Sequence, residues 1–168
     1  MDVVLGIGNP WRRDDGAGPA VAHRLKGRLP NSVRVRTVGG EATELLDALR
    51  GAALAVLIDA MESGSHGEPT EPGTVRRFDA AAGPLPASFS RLSSHGLGVP
   101  EALELARALG HLPPGVLVYG IEGADFTPGQ GLSPEVETAV RKVTAELIAL
   151  LADEEPAPQQ QVRCRWKM

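Results

Sequence analysis

DVVLGIGNPWRRDDGAGPAVAHRL, residues 2–25, sets the architecture of this chain. VVLGI is apolar without alternation, the pattern of a strand buried on both faces of a parallel sheet. Two glycines then set a tight turn, and a helix is expected from Gly16 to Leu29. Val21, Leu25 and Leu29 share one side of it, and Pro19 falls in the first turn, where its missing N–H does no harm. A glycine turn ahead of a helix commonly cradles a phosphate. Here Asp14 and Asp15 stand in that place and would repel one. The turn is built for something other than a nucleotide.

Downstream, SVRVRTV (32–38) alternates as a more exposed strand. After Gly39-Gly40 a short helix, ATELLDALRG, is stopped by Gly51. ALAVLIDA (53–60) is a second strongly apolar strand, expected to end at Asp59. ESGSHGEPTEPG (62–73) is loop by composition, and a strand is expected over GTVRRFDA (73–80). AAAGPLPASFSRLSSHG (80–96) has no period. A helix follows over 97–109 with Gly110 as its stop, then a buried strand GVLVYGIE (115–122). The last helix has Ser133 as N-cap, Pro134 at its first position, and Val136, Val140, Val143, Leu147 and Leu150 at helical spacing. Strands alternating with helices give an α/β sandwich: a mostly parallel sheet with helices on both faces. The domain is expected over residues 1–152. Residues 153–168, polar and broken by proline, read as a flexible tail.

A chain of 168 residues buries about 70% of its unfolded surface as one domain. The formal net charge of −4 gives no electrostatic case for nucleic acid or an anionic membrane. No apolar run approaches the roughly 20 residues that span a bilayer, and no export signal is read, so a cytoplasmic location is expected. The lone cysteine, Cys164, excludes an intrachain disulfide and a cysteine-built metal cluster.

In open α/β sheets ligands bind beyond the carboxyl ends of the strands. That rule selects residues 9–15, Asp59, and the loop holding His95. Carboxylates at a helix start can cap free N–H groups, which accounts for one of Asp14 and Asp15 more comfortably than for both. A carboxylate ending LAVLI is partly shielded and needs a hydrogen-bonding partner, a cation or a metal; a capping role for the next turn is the plainer alternative. Of the four histidines, His23 is expected at a helix surface, His66 in a solvated loop and His111 at a helix stop. His95, in SSHGLG, has a position suited to a ligand or a base. Asp15, Asp59 and His95 together offer two oxygens and one imidazole nitrogen. Such a set suits a divalent ion such as nickel or zinc and leaves coordination positions open. Their spacing forms no compact metal motif.

With these residues in hand, the sequence resembles the hydrogenase maturation protease family over about Val3 to Leu151. LGIGNPWRRDDGAG matches its opening motif, LIDA its middle aspartate, SSHGLGVPEAL its histidine segment, and GIEGADFTPGQGLSPEVETAV its closing strand, loop and helix. The resemblance implies a three-layer, phosphorylase/hydrolase-like fold. It also implies an endopeptidase that trims the C-terminal extension from the large-subunit precursor of a nickel–iron hydrogenase. On that pattern Asp15, Asp59 and His95 are the metal-contacting and catalytic residues. The ion would be nickel already carried by the precursor, with another divalent ion such as zinc possible in the isolated protein. A small domain acting on a large folded subunit works as a monomer. One position departs: where many members carry an aspartate before the paired glycines, this chain has Val38.

Three rivals belong to other classes. A peptidyl-tRNA hydrolase-like esterase shares a GxGNP opening but should continue with a threonine-arginine-histidine-asparagine run, and RRDDGAG stands there instead. A dinucleotide-binding protein needs a third glycine at an offset GIGNPW lacks. A non-catalytic metal-sensing or scaffold module of the same fold is favoured only by Val38.

Overall fold

The computed structural model describes residues 1–62, 70–86, 89 and 98–152. Five strands form one sheet: β1 (Asp2–Ile7), β2 (Val33–Val38), β3 (Leu54–Glu62), β4 (Val75–Asp79) and β5 (Gly115–Gly123). Their order is β2-β1-β3-β5-β4. Strands β2, β1, β3 and β5 run parallel, and β4 closes the edge antiparallel to β5, with Val75 opposite Ile121.

Among the described residues there are four α-helices: α1 (Ala17–Leu25), α2 (Ala42–Leu49), α3 (Val99–Ala108) and α4 (Pro134–Ala152). Strand side chains alternate between faces, so β1 supplies both cores. Val3, Leu5 and Ile7 pack with Leu45 and Leu49 of α2 and Leu103 of α3. Val4 joins Val21 and Leu25 of α1 and Val136, Val140 and Leu147 of α4 on the other side. The expected three-layer α/β sandwich is therefore the fold.

Three boundaries differ from expectation. A 3-10 turn, Arg13–Gly16, precedes α1, and α1 ends at Leu25, because Lys26 turns extended and Gly27 takes a φ of 73°. Two residues that break helical geometry outweigh the apolar spacing that reaches Leu29. Strand β3 does not stop at Asp59 but continues to Glu62, since β5 still pairs with it there: Asp59 faces Gly120, and Glu62 faces Gly123. By contrast β1 pairs with β3 only as far as Gly6 and Ile58. Asp59 is thus the first residue of β3 past that seam.

The start of α1 lies across the ends of β1 and β3. A Cβ on Gly18 would collide with the carbonyl oxygens of both Ile7 and Ile58, so only glycine allows this approach. The loop ahead of α1 is fastened to the one after β5. The Arg13 amide donates to the Gly129 carbonyl at 3.0 Å, the Gly129 amide to Trp11 at 2.8 Å, and the Asp14 amide to Asp125 at 3.0 Å. Arg13, a non-glycine at φ 47°, is held in that conformation and points Asp14 inward. The Asp14 carboxylate, with no solvent exposure, accepts from the amides of Ala124 (2.8 Å), Asp125 (2.9 Å) and Ser133 (2.7 Å) and from the Ser133 hydroxyl (2.7 Å).

Replacing that carboxylate removes four part-buried hydrogen bonds at once. Asp14→Ala is expected to lower unfolding free energy by about 3–5 kcal/mol in urea titration, against about 1 kcal/mol for Ser133→Ala, which removes one of the four bonds. Equal losses in the two variants would argue against the clamp.

Candidate functional site

Gly8, with φ 135°, turns the chain out of β1. A side chain there would run into the Asp15 carbonyl. The next residues close on themselves: the Asn9 amide donates to Asp15 Oδ2 at 3.0 Å, and the Trp11 amide to Asn9 Oδ1 at 3.0 Å. In a phosphate loop such an amide would face the ligand. Here the chain's own carboxylate occupies it. The Trp11 side chain is left 63% exposed at the tip.

The adjacent aspartates have separate tasks. Neither is the helix-start cap that was the simpler expectation, because no side-chain cap bond forms at the 3-10 turn or at α1. Burial opposes ionisation of Asp14, but the Ser133 amide and hydroxyl and the amides of Ala124 and Asp125 outweigh it, so its pKa is lowered. Asp14 is a fixed anion with its lone pairs in use. For Asp15 burial prevails over the Asn9 amide and the Arg12 charge, and its pKa is raised.

Asp59 sits on β3 among buried neighbours, 9% exposed. Burial first, and the negative charge of Asp15 second, push its pKa up to about 8; the Ala60 amide opposes them. The structure therefore brings Asp15 and Asp59 within electrostatic reach, on the carboxyl side of β1 and β3. His95 and His66 lie outside the described residues, as do residues 153–168 with Cys164. Among the described residues no three His, Cys, Asp or Glu groups gather to hold a metal. Two carboxylates that repel each other in a shielded place favour either a shared proton or a cation between them.

Arg13 pairs with Asp125 at 3.5 Å, both side chains partly exposed. Val38 is buried in the core against α2 and α3, and its carbonyl accepts the Gly8 amide at 3.1 Å. A cavity of about 630 Å³ opens beside this turn, lined by Gly8, Pro10, Pro19, Ala20, Val38 and Leu132 among others. Sequence reasoning missed it, although Pro19, Ala20 and His23 lie on one helical face. It also missed the clamp at Asp14, whose partners stand 110 to 119 positions away.

Known proteins agree with this architecture. Residues 19–150 match the hydrogenase maturation protease family. The hydrogenase 2 maturation protease of Escherichia coli K12 is 27% identical over 154 residues, covering 90% of both chains. The hydrogenase expression/formation protein HupD of Thiocapsa roseopersicina is 28% identical over 153 residues, 89% of this chain and 67% of that one. The solved structure of the hydrogenase maturating endopeptidase HybD from E. coli superposes with a TM-score of 0.76 at 27% identity, over 90% of this chain and 91% of that one. On its sequence and its fold, this chain belongs to the hydrogenase maturation protease family.

Proposed function

We propose that this protein is the endopeptidase that removes the C-terminal extension from a nickel-loaded large-subunit precursor of a nickel–iron hydrogenase, with Asp15, Asp59 and His95 contacting the nickel. The observation that carries the proposal is the pair of shielded carboxylates, Asp15 and Asp59, each with a raised pKa and one repelling the other. A divalent ion arriving with the precursor relieves that repulsion and takes up the lone pairs. His95 would add a nitrogen ligand.

Selectivity for loaded precursor follows from this electrostatics. A nickel-free precursor brings no cation to the Asp15 and Asp59 side chains. Nickel carried by the precursor would supply a Lewis acid to polarise the scissile carbonyl or activate a water; such ions bring water's pKa to about 7. Asp14 holds the turn that aims Asp15, and Asp59 would release its proton to solvent as the cation enters.

The protein incubated with nickel-loaded and nickel-free precursor is expected to shorten only the loaded form, read by mass spectrometry. Asp15→Ala and Asp59→Ala should each slow shortening by about 100-fold or more, as loss of a positioned charged group does. Full-rate shortening by both variants, or shortening regardless of nickel, would refute the assignment.

Stability should report the same pair. The native Asp59 keeps its proton up to about pH 8, whereas the unfolded chain loses it near 3.8. Between those values the native state binds more protons, so stability contributed by this group falls as pH rises. Asp59→Asn, which mimics the protonated acid, is expected to raise Tm by roughly 2–6 °C at pH 8.5 and by little at pH 5. An equal change at both pH values would show that Asp59 ionises normally.

A further inference from the structure

The cavity beside the opening turn has a chemistry of its own. Its walls are apolar, from Pro10, Pro19, Ala20 and Leu132, while Arg13 and Lys26 supply its charged lining and His23 an imidazole. Among the described residues no acidic side chain lines it, although the chain carries 21 acids against 17 lysines and arginines. Arg13 is engaged by Asp125, and Arg24, on the same helix as His23, is engaged by Glu137. Among the described residues, exposed His23 and Lys26 form no ion pair. Lys26 leaves an unspent positive charge, with the His23 imidazole beside it, at the mouth of an apolar cleft.

Position adds to composition. Gly8 and Gly16, which bracket Asp15, both belong to the cleft wall, and a Cβ on Gly8 would stand 3.2 Å from Asp15 Oδ1. The cleft therefore begins at the two glycines that flank Asp15 and leads away along α1 toward Lys26. About 630 Å³ holds a few side chains of an extended peptide, within the usual range of ligand pockets, whereas the convex surface of a folded domain does not enter such a space.

We propose that this cleft seats the C-terminal extension of the precursor, with an apolar side chain against Pro19, Ala20 and Leu132 and an acidic group facing His23 and Lys26. The proposal rests on the protease assignment for the identity of its occupant. Lys26 and His23 act as specificity-determining residues, selecting extensions that are apolar and acidic together and tolerating basic ones poorly.

The test is binding, independent of cleavage. A fluorescent synthetic peptide with the extension sequence of the large subunit encoded in the same genome is titrated with wild type, Lys26→Glu and Ala20→Trp, and anisotropy is followed. Wild type should bind it, and each variant should raise Kd about 10-fold or more, one by reversing charge and one by filling the space. Changing the acidic residues of the peptide to lysine should weaken wild type and restore binding to Lys26→Glu. No binding to wild type up to millimolar concentration, or a Kd indifferent to both variants, would overturn the cleft proposal. If the peptide binds as described while loaded precursor is left uncut, the cleft stands and the protease assignment fails.

Discussion

One buried carboxylate holds the working edge of this protein together. Asp14 takes four hydrogen bonds from a loop more than a hundred residues away and closes the opening turn against the segment that leads into α4. A buried anion is tolerated only where donors surround it. Those bonds lower its pKa and fix Arg13 in a left-handed conformation one residue earlier. The next residue, Asp15, is then delivered to the end of β1 with its own ionisation made unfavourable by burial. Two identical side chains, side by side, thus have their pKa values moved in opposite directions by their surroundings.

That division explains the acidic pair at a glycine turn. A dinucleotide site would need free amides and no competing charge. Here the Asn9 amide is given to Asp15, and the charge of Asp15 acts on Asp59. An anionic ligand would meet repulsion; a cation would relieve it. The same repulsion disfavours the esterase and nucleotide-binding alternatives, and family membership excludes them on separate grounds.

Much of the architecture was legible in the sequence because burial writes itself as pattern. VVLGI, LAVLI and the apolar spacing of α4 each record an environment that admits few other residues. The failures came where a nonlocal partner or a single residue overruled the pattern. Lys26 and Gly27 end α1 before its apolar series does. Strand β3 passes through Asp59 because β5 continues beside it, which no local signal announces. The antiparallel setting of β4 is likewise a matter of partners. At the site, Asp15 and Asp59 were identifiable as acids at strand ends, and the structure supplies their coupling; His95 falls outside the described residues. The role of Asp14 and the basic-rimmed cleft depend on segments far apart in the chain, so neither was visible in one dimension.

Site and function both rest on Asp15 and Asp59 occupying one shielded place and feeling each other's charge. Carboxyl carbon NMR titration of wild type and Asp15→Asn measures that coupling. Asp59 should titrate near pH 8 in the wild type and move downward once the neighbouring charge is gone. An Asp59 that titrates in the ordinary carboxylate range, and that ignores the change at position 15, would show that the two acids do not share a site.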